Sequence, residues 1–414
     1  MKFLVLVFLS IVCLVLDSYL AVYITFLVLS VFTCINCKKL ERPLVFFVTF
    51  YLMIALLNIS SWRGYTEVFT LKLYFFAFLC LCTPLMFNFK VNYDYKARLG
   101  RDVDFVLLGV AIHLFIVYVC VLYIYGTKGP VILNQALRFD IPTAIEYAIK
   151  SALPIAALVP VIKAKKHSFL VAALVLPAIL MGYRGASVLA LVSYLITLWY
   201  VNSCKAQLSA YVNSRNKTYY FLASICFLIV FIGFYLRRSG SSELATVDVL
   251  IDVYFDYNNP LLYLIIPFYL GFKETVGLSN KIITENISNS INDYPLFFAD
   301  LFTILPGERL AAGQTLARLF GSVEGGGLTP GLLGGLYIDF GFYAFIFLVV
   351  MGIFFKFIVV LAYRNLIFIP VYTLLLTQYI HLFHRGFLKP EYITSLVIIL
   401  FYFFMLNKVK IFKE

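Results

Sequence analysis

The residues best suited to chemistry lie toward the C-terminal end of the chain. His384 and Arg385 are adjacent and are followed by Gly386. An imidazole beside a guanidinium suits proton transfer next to an anion. Upstream, Gly321, Gly325, Gly326, Gly327, Thr329, Pro330 and Gly331 form a nearly side-chain-free stretch that runs into the apolar segment Leu332–Gly341. Glycine admits left-handed backbone and lets a ligand approach the main chain. Pro330 suits a first helical turn, and free N–H groups at a helix start favour an anion. The carboxylates in this neighbourhood are Glu308, Glu324 and Asp339. Glu324 sits among glycines. Asp339 lies about two turns into an apolar segment, where a charge needs a partner. Either could pair with an arginine or deprotonate a hydroxyl.

Arginines recur at the ends of apolar segments and in the longest polar stretch: Arg184, Arg237, Arg238, Arg309, Arg318 and Arg385. A guanidinium is a planar fork that grips phosphate at two points and stays charged beside a bilayer. Arg184 is the tightest case, with Tyr183 before it and Gly182 and Gly185 on either side. The plainer reading of these arginines is helix anchoring or pairing with the acids of the loop. His381 and His384 are three apart, yet no third metal ligand stands near them. His113 lies inside an apolar segment, where a helix–helix hydrogen bond is the simpler role. No P-loop, GxSxG or HExxH motif is present, which speaks against ATP-driven chemistry within the chain.

The elements that must position these residues are apolar. Hydrophobic residues make up 63% of the chain and charged residues 13%, and the mean hydropathy is +0.95. This excludes a soluble globular protein. Apolar runs of roughly 16 to 25 residues predict an all-α polytopic membrane protein of about twelve spans. The net charge of +12 reflects short basic loops rather than nucleic-acid binding. Lys/Arg clusters fall at every second loop. Placing those in the cytoplasm puts both termini inside and a loop of roughly 90 residues, 237–329, outside. The predicted organisation is 1–236 as a membrane bundle of about nine spans, 237–330 as a large periplasmic loop, and 331–414 as the last spans. Within the loop, Asp248, Asp252 and Asp256 mark the polar face of an amphipathic helix. The apolar pieces 261–272 and 295–305 are too short to span, which predicts re-entrant or interfacial placement. A short loop after the third span carries Trp62 and Arg63. The cysteines are scattered and give no disulfide or metal framework.

The architecture resembles the Wzy-type O-antigen polymerases, which join oligosaccharide repeat units of bacterial surface polysaccharides. The resemblance is most specific in Gly331–Gly341, with its glycine-rich entry and Tyr337-Ile338-Asp339-Phe340-Gly341, and in Gly182-Tyr183-Arg184-Gly185. It implies a GT-C-like glycosyltransferase of the inner membrane. Its substrates would be undecaprenyl-diphosphate-linked oligosaccharides, joined on the periplasmic face without a cofactor. The implied surroundings are membrane lipids, a chain-length regulator and a flippase. Under this resemblance Arg184, Arg237, Arg238, Arg309, Arg318 and Arg385, with Tyr183, Gly326, Gly327 and Thr329, would bind the diphosphate-linked substrate. His384, Glu324 or Asp339 would be the base. An O-antigen ligase would share this chemistry, and a flippase for the same lipid-linked sugars is the alternative of another class.

Overall fold

The computed structural model describes residues 2–37, 40–86, 103–132, 137, 140–162, 167–206, 228, 231–232, 235, 246–255, 259–290, 294–303, 310–321, 327–364 and 368–411. Among the described residues every regular element is helical. Four helices are long and apolar enough to cross a membrane, and four shorter apolar helices accompany them.

Two compact units emerge, each assembled from several stretches of chain. The first comprises Met1–Lys90, Tyr235–Val359 and Tyr379–Pro390. It opens with α1 (Lys2–Val15), α2 (Tyr19–Asn36), α3 (Arg42–Ala55) and α4 (Val68–Met86). Helix α2 packs on α1, α3 and α4, and Phe26 lies edge-on to Phe75 and Phe78 at its centre. At one end of this bundle Glu41 and Lys356 form a buried ion pair, and the Lys356 ammonium also donates to the Leu85 carbonyl at 2.9 Å. The second unit comprises Val91–Phe234, Val360–Gln378 and Glu391–Glu414. It contains α5 (Val103–Lys128), α6 (Thr143–Lys150), α7 (His167–Leu180) and α8 (Arg184–Ala206). Its core is aliphatic, built from residues such as Val110, Val117, Leu158, Leu174 and Ile399.

Two predicted spans are interrupted. The run 144–161 holds helix only to Lys150 and continues as a 3-10 turn, Leu153–Leu158. Pro154 removes a backbone donor and crowds the carbonyl one turn back, which disfavours a regular helix there. The run 331–355 divides into α12 (Gly331–Phe340) and α13 (Ala344–Arg364) around Gly341, whose φ is +53°. With ψ at −131° this glycine is outside the helical region, and the helix ends there. The chain closes with α14 (Phe368–Arg385) and α15 (Pro390–Ile411).

The predicted outer loop supplies α9 (Val247–Tyr254), α10 (Leu262–Thr284) and α11 (Ala312–Leu319). In α9, Asp248 and Asp252 are exposed while Val247, Leu250 and Ile251 are buried, the amphipathic pattern read from the sequence. Val253 departs from it and is 60% exposed. The apolar piece at 261–272 is the first half of α10, a 23-residue helix packed on both α3 and α12. Its second half is buried through polar residues that have partners: Lys273, Thr275, Ser279 and Asn280. Hydropathy alone ends the segment where those residues begin.

Candidate functional site

The site is built where the end of α3, the middle of α10, the start of α12 and the end of α14 meet in the first unit. His384 lies in the last turn of α14, past the apolar stretch 366–381, and is half-buried. Its Nδ1 is 3.3 Å from the Tyr51 hydroxyl. Tyr51 is buried on α3 and its hydroxyl bonds to Thr275 Oγ1 on α10. Thr275 Oγ1 in turn donates to the Phe272 carbonyl at 2.8 Å.

The polarity of this chain follows from its last member. A carbonyl oxygen only accepts, so Thr275 spends its proton there. The Thr275 oxygen then accepts from Tyr51, and the Tyr51 oxygen is left to accept from His384 Nδ1–H. That assigns the imidazole tautomer with its lone pair on Nε2. Burial, and after it the Arg385 guanidinium, lower the His384 pKa from the ordinary histidine value. The ring is neutral with Nε2 unprotonated, and the same burial and neighbouring cation make it a weaker base than a free imidazole. Arg385, adjacent and exposed, puts a positive charge beside it.

The turn carrying these residues is held from two directions. Gly386 has φ +85°, and a Cβ there would meet the Gly331 carbonyl. A Cβ at Gly335 would fall on the Gly386 carbonyl, and one at Gly334 on Ser279. The glycines of α12 therefore let two backbones touch. Gly331 through Ile338 are all buried, and Ser279 Oγ donates to the Pro330 carbonyl. The start of α12 is a packing surface, which corrects the expectation of an open anion cradle there. The second hold runs through Asp339. Its carboxylate accepts from the Leu296 and Phe297 N–H groups at 2.8 and 2.7 Å and from Asn289 Nδ2 at 3.2 Å. The Phe297 carbonyl accepts from Leu388 N–H at 2.9 Å. Asp339 thus fixes a 3-10 turn, Leu296–Phe298, that fixes the segment just after His384.

The predicted site residues that are described fall into three groups. His384 and Arg385 stand together, with Asp339 behind them. Gly327 is exposed, Thr329 is half-buried, and Arg318 is exposed in the last turn of α11; Leu328 N–H donates to the Gly313 carbonyl, so this segment runs along the start of α11. In the second unit Tyr183 is buried, with the Lys150 ammonium 4.6 Å from its ring centre, and Arg184 opens α8. Lys150 itself pairs with Glu146 at 2.5 Å and with Glu391. Glu324, Gly326, Arg237, Arg238, Arg309 and the side chain of Arg184 lie outside the described residues. His113, read as a helix–helix contact, bonds Ser151 Oγ at 2.6 Å and the Tyr402 hydroxyl at 3.2 Å.

Sequence reasoning missed Tyr51, Thr275 and Ser279. Tyr51 is one of 30 tyrosines and nothing local distinguishes it. Thr275 and Ser279 are four apart directly after an apolar run, a spacing that marks one helix face and could have extended the helix. Because its oxygens are filled by backbone donors, Asp339 acts here by position. We expect Asp339→Asn to lower the thermal midpoint of the detergent-solubilised protein, consistent with losing about 1.5–3 kcal/mol of charged hydrogen bonding, and to slow turnover only through the displaced turn.

A family model described as "Putative O-antigen polymerase" matches residues 39–402. No curated protein matches the chain, and no solved structure matches it.

Proposed function

The chain belongs to the O-antigen polymerase family, and on that premise we propose that it joins undecaprenyl-diphosphate-linked oligosaccharide repeats at the outer face of the bacterial inner membrane. The observation that carries this reading is the directed chain His384–Tyr51–Thr275–Phe272, which leaves Nε2 of a neutral imidazole as proton acceptor beside Arg385. In the proposed step the acceptor sugar hydroxyl attacks the anomeric carbon of the lipid-linked chain. The anomeric C–O bond breaks and its electron pair leaves with undecaprenyl diphosphate. The hydroxyl proton passes to His384 Nε2. Arg385 stabilises the negative charge that develops on the leaving oxygen. The donor is already activated by its diphosphate, so the reaction needs no nucleotide. Loops 56–67, 237–329 and 384–389, which the charge alternation places on one side, contribute neighbouring described residues within the first unit, and this supports an outer-face site.

A deletion strain tests the reaction class. Loss of polysaccharide ladder with a single repeat still attached supports the polymerase; loss of all attached sugar indicates a ligase or flippase instead. The same reading assigns Arg184 a diphosphate contact, on the tightness of its turn. A planar two-point grip cannot be copied by an ammonium, so Arg184→Lys is expected to lose ladder intensity about 10–100-fold, as Arg184→Ala does, in line with one or two charged hydrogen bonds. Full rescue by lysine at equal membrane abundance would leave Arg184 as a helix anchor.

A further inference from the structure

The loop between α3 and α4 is built far more firmly than a connection requires. At its neck Asn58 Nδ2 donates to the Thr66 carbonyl and Thr66 N–H donates to Asn58 Oδ1, each at 3.0 Å. Beneath the neck Lys273 is fully buried, and its ammonium donates to Asn58 Oδ1 at 2.7 Å and to Thr66 Oγ1 at 3.1 Å. A buried ammonium resting on neutral acceptors is costly. Further along, Asn280 Oδ1 accepts from Glu67 N–H at 3.1 Å and Asn280 Nδ2 donates to the Tyr65 carbonyl at 3.4 Å. On the other flank Ser61 N–H donates to the Tyr254 carbonyl at 3.0 Å. Gly277 lies so close that a Cβ there would meet the Arg63 backbone.

This framework holds Arg63 in the left-handed region at φ +58°. A non-glycine residue persists there when its surroundings force it, and such strain gathers at functional sites. What the loop displays is specific. Trp62 meets Tyr254 edge-to-face at 4.6 Å. The Arg63 guanidinium lies 5.3 Å from the Trp62 ring centre and 3.7 Å from the Glu274 carboxylate. The Arg63 side chain is 42% exposed. Among the described residues the buried Trp62 indole N–H has no acceptor. An interfacial anchor needs an aromatic ring at headgroup depth but neither a strained arginine nor a buried lysine beneath it.

We infer that Trp62, Arg63 and Glu274 form a carbohydrate subsite that holds a pyranose residue of the lipid-linked oligosaccharide. A pyranose offers an apolar C–H face, which packs on an aromatic ring, and hydroxyls that both donate and accept. A guanidinium paired with a carboxylate supplies both hydrogen-bonding roles. Because the pair is neutral together, it suits hydroxyls better than a phosphate. On α10, Glu274 and Gly277 face the loop, while Thr275 and Ser279 lie on the opposite side toward His384. One helix therefore separates the subsite from the reaction centre, and the glycan of a repeat unit can bridge it. This deepens the polymerase reading and rests on it.

The chain has two tryptophans, Trp62 and Trp199, so the full-length Trp199→Phe protein reports on Trp62 alone. The probe is the repeat oligosaccharide released from the host's lipid-linked pool by mild acid. A saturable change in Trp62 emission is expected on titration, and its loss in Glu274→Gln. Arg63→Gly removes the guanidinium while relieving the left-handed strain; with it the change should also vanish. In a polymerisation assay the same variants should raise KM for the lipid-linked substrate roughly 10-fold with kcat little altered, the pattern of a lost binding contact. Silent Trp62 emission in a protein that still polymerises would reject the subsite and leave the polymerase standing. A response to sugar-free phospholipid vesicles but not to the oligosaccharide would make Trp62 a membrane anchor and reject the subsite. A saturable response in a protein that makes no polymer would keep the subsite and overturn the polymerase reading.

Discussion

His384→Ala is expected to abolish the polysaccharide ladder while lipid-linked substrate remains bound. Removing a proton acceptor from a transition state typically costs about 10²–10⁴-fold in rate, and the proposed function places substrate affinity elsewhere, in the arginines. Turnover and binding should therefore separate in single-turnover measurements on matched amounts of membrane protein. His384→Gln keeps an amide of similar reach but accepts no proton, and should fail equally. Tyr51→Phe removes the oxygen that receives Nδ1–H and should slow turnover less, by about 10-fold, as expected for one neutral hydrogen bond. The pH profile provides an independent check. The His384 pKa is lowered in the folded protein, so the imidazole stays neutral through the ordinary titration point of about 6.5, and turnover should show no acid limb there. Stability has the opposite sensitivity. The unfolded chain takes up a proton on this residue before the folded one does, so its contribution is complete above about pH 6.5 and is lost as pH falls toward the folded value. His384→Gln should flatten that part of the stability curve. A normal ladder from His384→Ala would shift the base to Glu324.

The helices were legible because lipid-facing and core-facing residues share one signal, apolarity sustained over a membrane's thickness. The breaks in them were less so. Pro154 was visible in the sequence, yet a proline within an apolar run can kink a helix or end it. Gly341 ends α12 at a positive φ, which a glycine permits but does not require. The amphipathic helix at 247–254 was readable from its aspartates, since period and polarity coincide there. The adjoining α10 was cut short because Lys273, Thr275 and Ser279 look like solvent-facing residues until their partners at 58, 66, 51 and 330 are known. The site was legible in part for the same reason. His384 is one of four histidines and stands beside Arg385 at the end of an apolar segment, so the pair draws notice. Tyr51 comes from more than 300 positions away, inside a predicted span, and its role exists only through the contact. The glycines of Gly331–Gly335 were correctly noticed and differently used: an exposed anion cradle and a buried backbone contact call for the same residue.

That last distinction yields the second large effect, at Gly335. Alanine in place of a helical glycine ordinarily stabilises by about 1 kcal/mol, so on propensity alone Gly335→Ala should raise the thermal midpoint. The structure demands the reverse. The new methyl would fall on the Gly386 carbonyl, which belongs to backbone held by Leu382 and, two residues on, by Phe297. Overpacking of this kind costs about 1–3 kcal/mol, and the least constrained response is to push the 384–388 turn away from α12. A displacement near 1 Å at a reaction centre can cost about 10²-fold in rate. Gly335→Ala is therefore expected to lose stability and lose the ladder together. Gly341→Ala is the control. Its φ of +53° makes alanine strained, but its Cβ would point into open space. That variant should lose about 1–3 kcal/mol, because this backbone region is entered freely only by glycine, and still polymerise. Thermal unfolding of both variants in detergent, with ladder intensity at equal abundance, separates the two costs. If Gly335→Ala unfolds at a higher temperature and polymerises normally, α12 does not press on the His384 turn, and the glycines must be explained by something other than backbone contact.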